Sequence, residues 1–133
     1  MESIFRVLVV GAAVLSIVFW CIPVFDYMWL TNEQLQILDL GGFGSYISDS
    51  RIFYWGTLTI WLLLSIGLLF YVNIARFAFV ICMVIVHVLS FFYGISILSP
   101  LEAFIGSLIT MADGAIITMM YLTSISGKFN ENT

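Results

Sequence analysis

Residues 100–126 read PLEAFIGSLITMADGAIITMMYLTSIS, an apolar stretch that carries one ionisable side chain near its middle, Asp113. About 20 predominantly apolar residues in a helix cross the hydrocarbon core of a bilayer, so this stretch is long enough to span it. An ionisable group at that depth costs free energy and usually faces protein or a water-filled cavity rather than lipid. The stretch therefore predicts a transmembrane helix in which Asp113 has a specific environment.

Three further apolar stretches of similar length occupy residues 4–25, 51–72 and 75–98. The chain of 133 residues is 62% hydrophobic and 9% charged, whereas a soluble domain carries about 25% charged residues. Barrel strands alternate in polarity and are about ten residues long, so these continuous runs indicate helices. We predict an all-α integral membrane protein with one domain, residues 1–133, whose four transmembrane helices form an antiparallel up-down bundle.

The connection 26–50 is the predicted outer loop, and it contains the signal for a short helix. TNEQ at residues 31–34 has the spacing of a capping box. In that motif the Thr31 hydroxyl and the Gln34 side chain each bond a backbone N–H group at the start of a helix. Two glycines at 41–42 then end the helix. We interpret this segment as an interfacial helix on the membrane surface or over the mouth of the bundle.

The fourth span begins with a second capping signal. Ser99 stands at the expected N-cap, Pro100 at the first helical position and Glu102 at the third, a combination that is favoured at helix starts. Glu102 is accordingly interpreted as a cap, with a gate as the alternative. The short connections after Val72 and before Pro100 predict that the second, third and fourth spans are antiparallel neighbours.

The few charged residues predict the orientation in the membrane. Arg6, Arg76 and Lys128 fall on one side of the predicted bundle, whereas Arg51 falls on the other side with the acidic loop. Because basic residues concentrate on the cytoplasmic side, both termini are expected there, in a bacterial inner (plasma) membrane. The net charge is −4, and four scattered basic residues form no phosphate-binding patch, so nucleic acid is not an expected partner.

A polar cluster is predicted where the third and fourth spans pass mid-membrane. His87 and Asp113 each lie about 12 residues from the same membrane face, which at 1.5 Å per residue is a depth of about 18 Å. Thr110 shares a helical face with Asp113, and Ser90 shares one with His87, by steps of three or four residues. These four residues are the candidate intramembrane site.

Small residues complete the predicted surroundings of this cluster. Gly106 and Gly114 on the fourth span and Gly94 on the third are predicted helix-packing positions, because glycine allows close approach of backbones. Ser16 on the first span and Trp61 on the second lie at a similar depth.

Two hypotheses account for the cluster. In the structural hypothesis, His87 and Asp113 form hydrogen bonds with Thr110 and Ser90 that fix the register of packed helices; such contacts contribute about 0.6–2 kcal/mol each. In the functional hypothesis, His87 and Asp113 relay protons or bind a cation, as ionisable residues inside a membrane often do.

No catalytic motif is present, and one histidine cannot supply an ordinary zinc site, so we expect no enzyme activity, no metal and no cofactor. The leading hypothesis is a small polytopic inner-membrane protein that acts through protein–protein contacts, as an accessory subunit, assembly factor or immunity-type protein. The acidic 26–50 loop would be its partner surface. The alternative is a small proton- or cation-coupled transporter component that uses His87 and Asp113. The expected partners are the lipid bilayer and either other membrane proteins or further copies of this chain.

Overall fold

The computed structural model describes residues 1–46, 51–92 and 94–131, with the backbone alone for 51–54 and 131. Helices and their connections account for all of these residues, and no strand occurs among them, which confirms the all-α prediction. The helices are α1 (Glu2–Trp29), α2 (Asn32–Leu38), α3 (Arg51–Leu69), α4 (Asn73–Ser90), α5 (Pro100–Leu122) and α6 (Ile125–Glu131).

Three of these helices, α1, α4 and α5, are long and apolar enough to cross a membrane. Their most apolar 18-residue windows have mean hydropathies of 2.6, 2.0 and 1.6, and only 17–22% of each window is buried within the chain. A soluble protein rarely leaves so much contiguous apolar surface exposed. The chain is therefore a membrane protein. Helix α3 contributes a shorter apolar segment, Trp55–Leu69.

Helix α1 lies at the centre of the arrangement. It packs against α5 on one side and α3 on the other, and α3 in turn packs against α4. Among the described residues the backbones of α4 and α5 approach each other little, although they are consecutive spans, and the two helices meet through side chains at the basic residues, where the Phe77 and Tyr121 rings are 6.5 Å apart. The short turn predicted between these two spans is wrong, because nine residues separate Ser90 from Pro100. A cavity lies between α4, α5 and the other two long helices.

The buried core lies at one end of the bundle, together with the basic residues. Phe5 stacks on Tyr71 at a ring-centroid distance of 5.8 Å and meets Phe129 edge-on at 6.0 Å. Arg76 is largely buried beside Phe129, with its guanidinium carbon 5.5 Å from the ring centroid. Lys128 forms an ion pair with Glu2. This cluster at the ends of α1, α3, α5 and α6 and the start of α4 is called the basic end below.

Helix α5, which corresponds to the fourth predicted span, ends earlier than predicted. Helix α5 stops at Leu122 rather than at residue 126, because Thr123 adopts an extended conformation. Its hydroxyl donates to the Met119 carbonyl at 2.7 Å and accepts the Ile125 N–H at 3.3 Å, so one side chain closes α5 and opens α6. Ile125 and Phe129 of α6 are fully buried in the basic end.

The first helix is longer than predicted. It continues through Pro23 to Trp29 rather than ending near residue 25. Proline removes one backbone donor, and membrane helices tolerate this loss where the remaining turns stay bonded. The last turn is closed by the Leu30 N–H, which donates to the Asp26 carbonyl at 2.9 Å. The outer connection therefore starts at Leu30, and its residues 47–50 lie outside the described residues.

The opposite end is covered by a folded connection, called the cap below, which comprises α2, residues 39–46 and residues 91–99 apart from 93. The predicted capping box of α2 is confirmed, with the Thr31 N–H donating to Gln34 Oε1 at 3.0 Å and the Gln34 N–H donating to Thr31 Oγ1 at 3.4 Å. The Gly42 N–H donates to the Ile95 carbonyl at 2.8 Å. These bonds give the cap a defined structure.

Helix α4, which corresponds to the third predicted span, also ends earlier than predicted, at Ser90 rather than at residue 98. Gly94 has a left-handed φ of 74°, which a helix excludes and glycine adopts without steric cost. Its backbone lies against residues 43–45, where a Cβ atom would be 2.4 Å from the Phe43 carbonyl oxygen. The prediction that Gly94 packs helices together is wrong, because Gly94 belongs to the cap.

Helices α3 and α4 approach each other closely at Gly67. A Cβ atom there would lie 2.6 Å from the Ala75 Cβ. We expect Gly67→Ala to lower the free energy of unfolding by about 1–3 kcal/mol, because the two helices must separate to admit the methyl group. The midpoint of thermal unfolding in detergent checks this. Gly56→Ala on the same helix meets nothing within 4 Å and is the control; equal effects from both changes would contradict the prediction.

Candidate functional site

A cavity of about 200 Å³ lies where α1, α3, α4 and α5 converge. Each helix contributes at least one side chain with a polar atom: Ser16 from α1, Trp61 from α3, His87 from α4 and Asp113 from α5. The remaining wall is mostly apolar, so few polar atoms compete for a bound solute. This is the kind of concave, largely apolar site that binds small molecules in proteins.

Asp113 is the buried acid of this cavity, with 2% of its surface exposed. Its Oδ1 atom has no hydrogen-bond partner among the described residues. A buried polar atom left unpaired costs free energy, and an ionised one costs more. The carboxyl group therefore has unused capacity to accept a hydrogen bond or to pair with a cation at the cavity wall.

Two hydroxyl groups of the cavity wall, those of Ser16 and Thr110, are bonded within their own helices. Ser16 Oγ donates to the Ala12 carbonyl at 2.9 Å, and Thr110 Oγ1 donates to the Gly106 carbonyl at 3.0 Å. This bonding to the carbonyl four residues earlier satisfies a hydroxyl without a partner helix. The hydroxyl protons of Ser16 and Thr110 are therefore not donated to Asp113.

His87 lies on the cavity wall close enough to Asp113 for a Coulombic interaction, although no hydrogen bond joins them within the described chain. Its Nδ1 atom is 2.8 Å from the Met83 carbonyl oxygen. Because a carbonyl only accepts, Nδ1 carries a proton in this contact, and Nε2 is the acceptor of the neutral ring.

Three of the four predicted cluster residues come together at the cavity: His87, Asp113 and Thr110. Ser90 does not line it. Its hydroxyl donates to the His87 backbone carbonyl at 2.7 Å, and the side chain is exposed at the end of α4. Among the described residues, the hydrogen-bonded network of the structural hypothesis is therefore not formed.

The predicted glycines occupy three different environments. Gly106 lines the cavity at a position where a Cβ would be 3.5 Å from the Phe19 ring, an ordinary contact between α5 and α1. A Cβ atom on Gly114 would meet nothing within 4 Å, so no other helix of the described residues packs on it. Gly94 lies in the cap, as described above.

Glu102 acts as a cap in this structure. The Ser99 N–H donates to Glu102 Oε2 at 2.8 Å, and the Glu102 N–H donates to Ser99 Oγ at 3.3 Å. Both reciprocal bonds of the capping box are present, with Pro100 in the first turn, as the sequence predicted. The carboxylate is thus held at the start of α5.

The aromatic part of the cavity was only partly predicted. Phe19 and Trp20 join Trp61 on its wall, and the Trp61 ring is 5.0 Å from that of Phe79. Helical spacing could have indicated the rings of α1, because Phe19 and Trp20 follow Ser16 by three and four residues and share one face with it. In an apolar helix rich in aromatic residues, that signal does not separate cavity-facing rings from lipid-facing ones.

Comparison of the chain with protein-family models, with curated protein sequences and with solved structures gave no match. Within the described residues no three His, Cys, Asp or Glu side chains cluster as potential metal ligands. The function is therefore inferred from the cavity and its two ionisable residues.

Proposed function

We propose that the protein is a small, non-catalytic membrane protein that binds a cation in exchange for a proton at Asp113, as a transporter or a subunit of one. One observation carries this proposal: a buried carboxyl group with an unpaired oxygen stands at the wall of a cavity built by four helices. A cation would supply the interaction that the protein itself does not provide.

We infer that α3 is a fourth span and that the bundle runs up and down in an inner membrane. The packing of α3 along α1 supports a fourth span. Thr57 lines the cavity with Ser16, and Leu68 is buried in the basic end with Phe5. The basic end would face the cytoplasm, because Arg6, Arg76 and Lys128 lie there.

The hydrogen bonding favours ion binding over a purely structural role. A structural polar cluster stabilises a bundle through bonds between helices, whereas the side chains of His87 and Thr110 bond within their own helices. Asp113 is therefore the side chain of the cavity that a bound cation would stabilise most. When a cation pairs with the carboxylate, the proton that neutralised it is released, and the neutral His87 ring offers a nearby acceptor.

Flux through proteoliposomes tests this function. The purified chain is reconstituted in vesicles that contain a pH-sensitive dye, and Na⁺, K⁺ or a series of alkylammonium ions is added outside. We expect proton release from the vesicles to exceed that of protein-free vesicles and to saturate with at least one cation. Equal signals with and without protein, for every cation, would refute the proposal.

A second candidate function, contact with another membrane protein as an accessory, assembly or immunity-type protein, is favoured by the ordered cap. Glu33 and Asp39 are exposed on it, next to backbone that is fixed by hydrogen bonds. A photo-crosslinking amino acid at position 33, in living cells, should then give one adduct of defined mass. Crosslinks to lipid alone would contradict this role.

A further inference from the structure

We propose that the cation bound at Asp113 is an organic ammonium ion with an apolar body, rather than a metal ion. This inference rests on the proposed function and specifies its substrate class. It follows from three features of the cavity: its aromatic wall, its size and its open side.

The aromatic wall is the first feature. Phe19, Trp20 and Trp61 line the same cavity as Asp113. A cation near the face of an aromatic ring is attracted by the ring quadrupole, most strongly by tryptophan, and this mode is used to recognise quaternary ammonium groups. A carboxylate among aromatic rings therefore matches a positive charge that is attached to hydrocarbon.

The size and the oxygen content of the cavity disfavour a dehydrated metal ion. Hard cations such as Ca²⁺ and Mg²⁺ are held by about six or more oxygen ligands in a close shell. This wall has one carboxylate and the hydroxyls of Ser16, Thr57 and Thr110. The volume of the cavity is about 200 Å³, several times the volume that one water molecule occupies in the liquid, about 30 Å³. It is smaller than the pockets that bind drug-sized ligands. A small organic cation fits this volume.

The open side is the third feature. His87 lines the cavity and is also exposed, so the cavity reaches the surface of the chain through a gap beside α4. The surface around this gap is apolar, with Val84 and Val88 exposed. An amphipathic ammonium ion concentrates at the membrane interface, whereas a metal ion does not. Entry through this gap would bring the charge to Asp113 and the apolar body to the aromatic rings.

Equilibrium binding of radiolabelled benzyltrimethylammonium to the full chain in lipid nanodiscs tests the inference. We expect saturable binding that Na⁺ and K⁺ do not displace. Asp113→Asn and Trp61→Leu should each weaken binding by about tenfold or more, because one removes the charge and the other the ring. Trp61→Phe keeps a ring and should bind within about threefold of wild type. Trp55→Leu, an exposed position on the same helix, is the control and should leave binding unchanged.

The outcomes separate this inference from the function on which it rests. An Asp113-dependent flux of protons, Na⁺ or K⁺ without saturable binding of benzyltrimethylammonium would overturn the substrate class and leave the function standing. No flux and no binding would overturn both. Unchanged affinity in Trp61→Leu would also overturn the aromatic site. The midpoint of thermal unfolding, compared between Trp61→Leu and Trp61→Phe, shows whether Trp61→Leu loses binding through the site or through misfolding, because only Trp61→Phe keeps a ring against Phe79.

Discussion

Proteoliposomes that contain Asp113→Asn are expected to show a cation-driven proton flux at least about 30-fold below wild type, because losing one member of a buried charge pair costs about 2–5 kcal/mol. Asparagine has nearly the same shape as aspartate but takes up and releases no proton. The measurement is the initial rate of dye response at a cation concentration well below saturation of the wild type, at equal protein density in the vesicles.

Asp26→Asn is the matched control for this change. Asp26 is also a buried acid, 8% exposed, but it lies at the end of α1 near Pro100, away from the cavity. Its replacement should leave the flux within about twofold of wild type, since it removes no charge from the cavity. An Asp113→Asn protein that transports at the wild-type rate would refute the role of Asp113.

Thermal unfolding of the same variant distinguishes the two hypotheses for the polar cluster. If Asp113 stabilised the bundle through hydrogen bonds, its replacement would lower the midpoint of unfolding. The structure gives Oδ1 no partner among the described residues, and removing a buried ionisable group that lacks a partner relieves a desolvation cost. We therefore expect the midpoint to be unchanged or higher in Asp113→Asn. A decrease would support the structural hypothesis.

Gly94→Ala is expected to cause the largest loss of stability among the substitutions considered, about 3 kcal/mol or more. Two costs add at this position. The φ of 74° is unfavourable for alanine by about 1–2 kcal/mol, and the added Cβ would lie 2.4 Å from the Phe43 carbonyl oxygen and 2.7 Å from the Ser45 nitrogen. Because these neighbours are backbone atoms, relief requires the cap to break its hydrogen bonds. Faster hydrogen exchange at the amides of Gly42 and Ile95 would report that break.

Gly44→Ala measures the conformational cost of a left-handed φ without the steric cost of the Cβ contacts. Gly44 has a similar φ of 77°, but a Cβ there would meet nothing within 4 Å. We expect this change to cost only about 1–2 kcal/mol, the conformational part alone. Equal loss of stability in the two variants would mean that the close contact between Gly94 and residues 43–45 has no energetic importance.

The sequence predicted the features that depend on local chemistry. Both capping boxes, at Thr31 with Gln34 and at Ser99 with Glu102, were evident because a hydroxyl and an acid or amide three residues apart bond the first turn of a helix. Counting residues along the spans placed His87 and Asp113 at one depth, and both line the cavity. Depth follows from the fixed rise of a helix and needs no knowledge of packing.

The lateral arrangement of the helices was not predictable in the same way. Lipid and a neighbouring helix are equally apolar, so hydrophobicity does not show which face of a span meets protein. For this reason Gly67, which lies against Ala75, was missed, whereas Gly114, which meets nothing within 4 Å, was predicted to pack. The ending of α4 at Ser90 was missed because the residues after it are still apolar.

The contact of Gly67 with Ala75 also determines how α4 can move. It lies at the basic end, where Phe77 of α4 also meets Tyr121 of α5, whereas the far part of α4 lines the cavity. His87 is 12 residues beyond Ala75, a lever arm of about 18 Å. A tilt of about 5° at this pivot would move His87 by about 1.5 Å, comparable to the helix shifts of conformational switches. With tight packing at the basic end, a small tilt of α4 would thus give a larger displacement of His87 at the cavity.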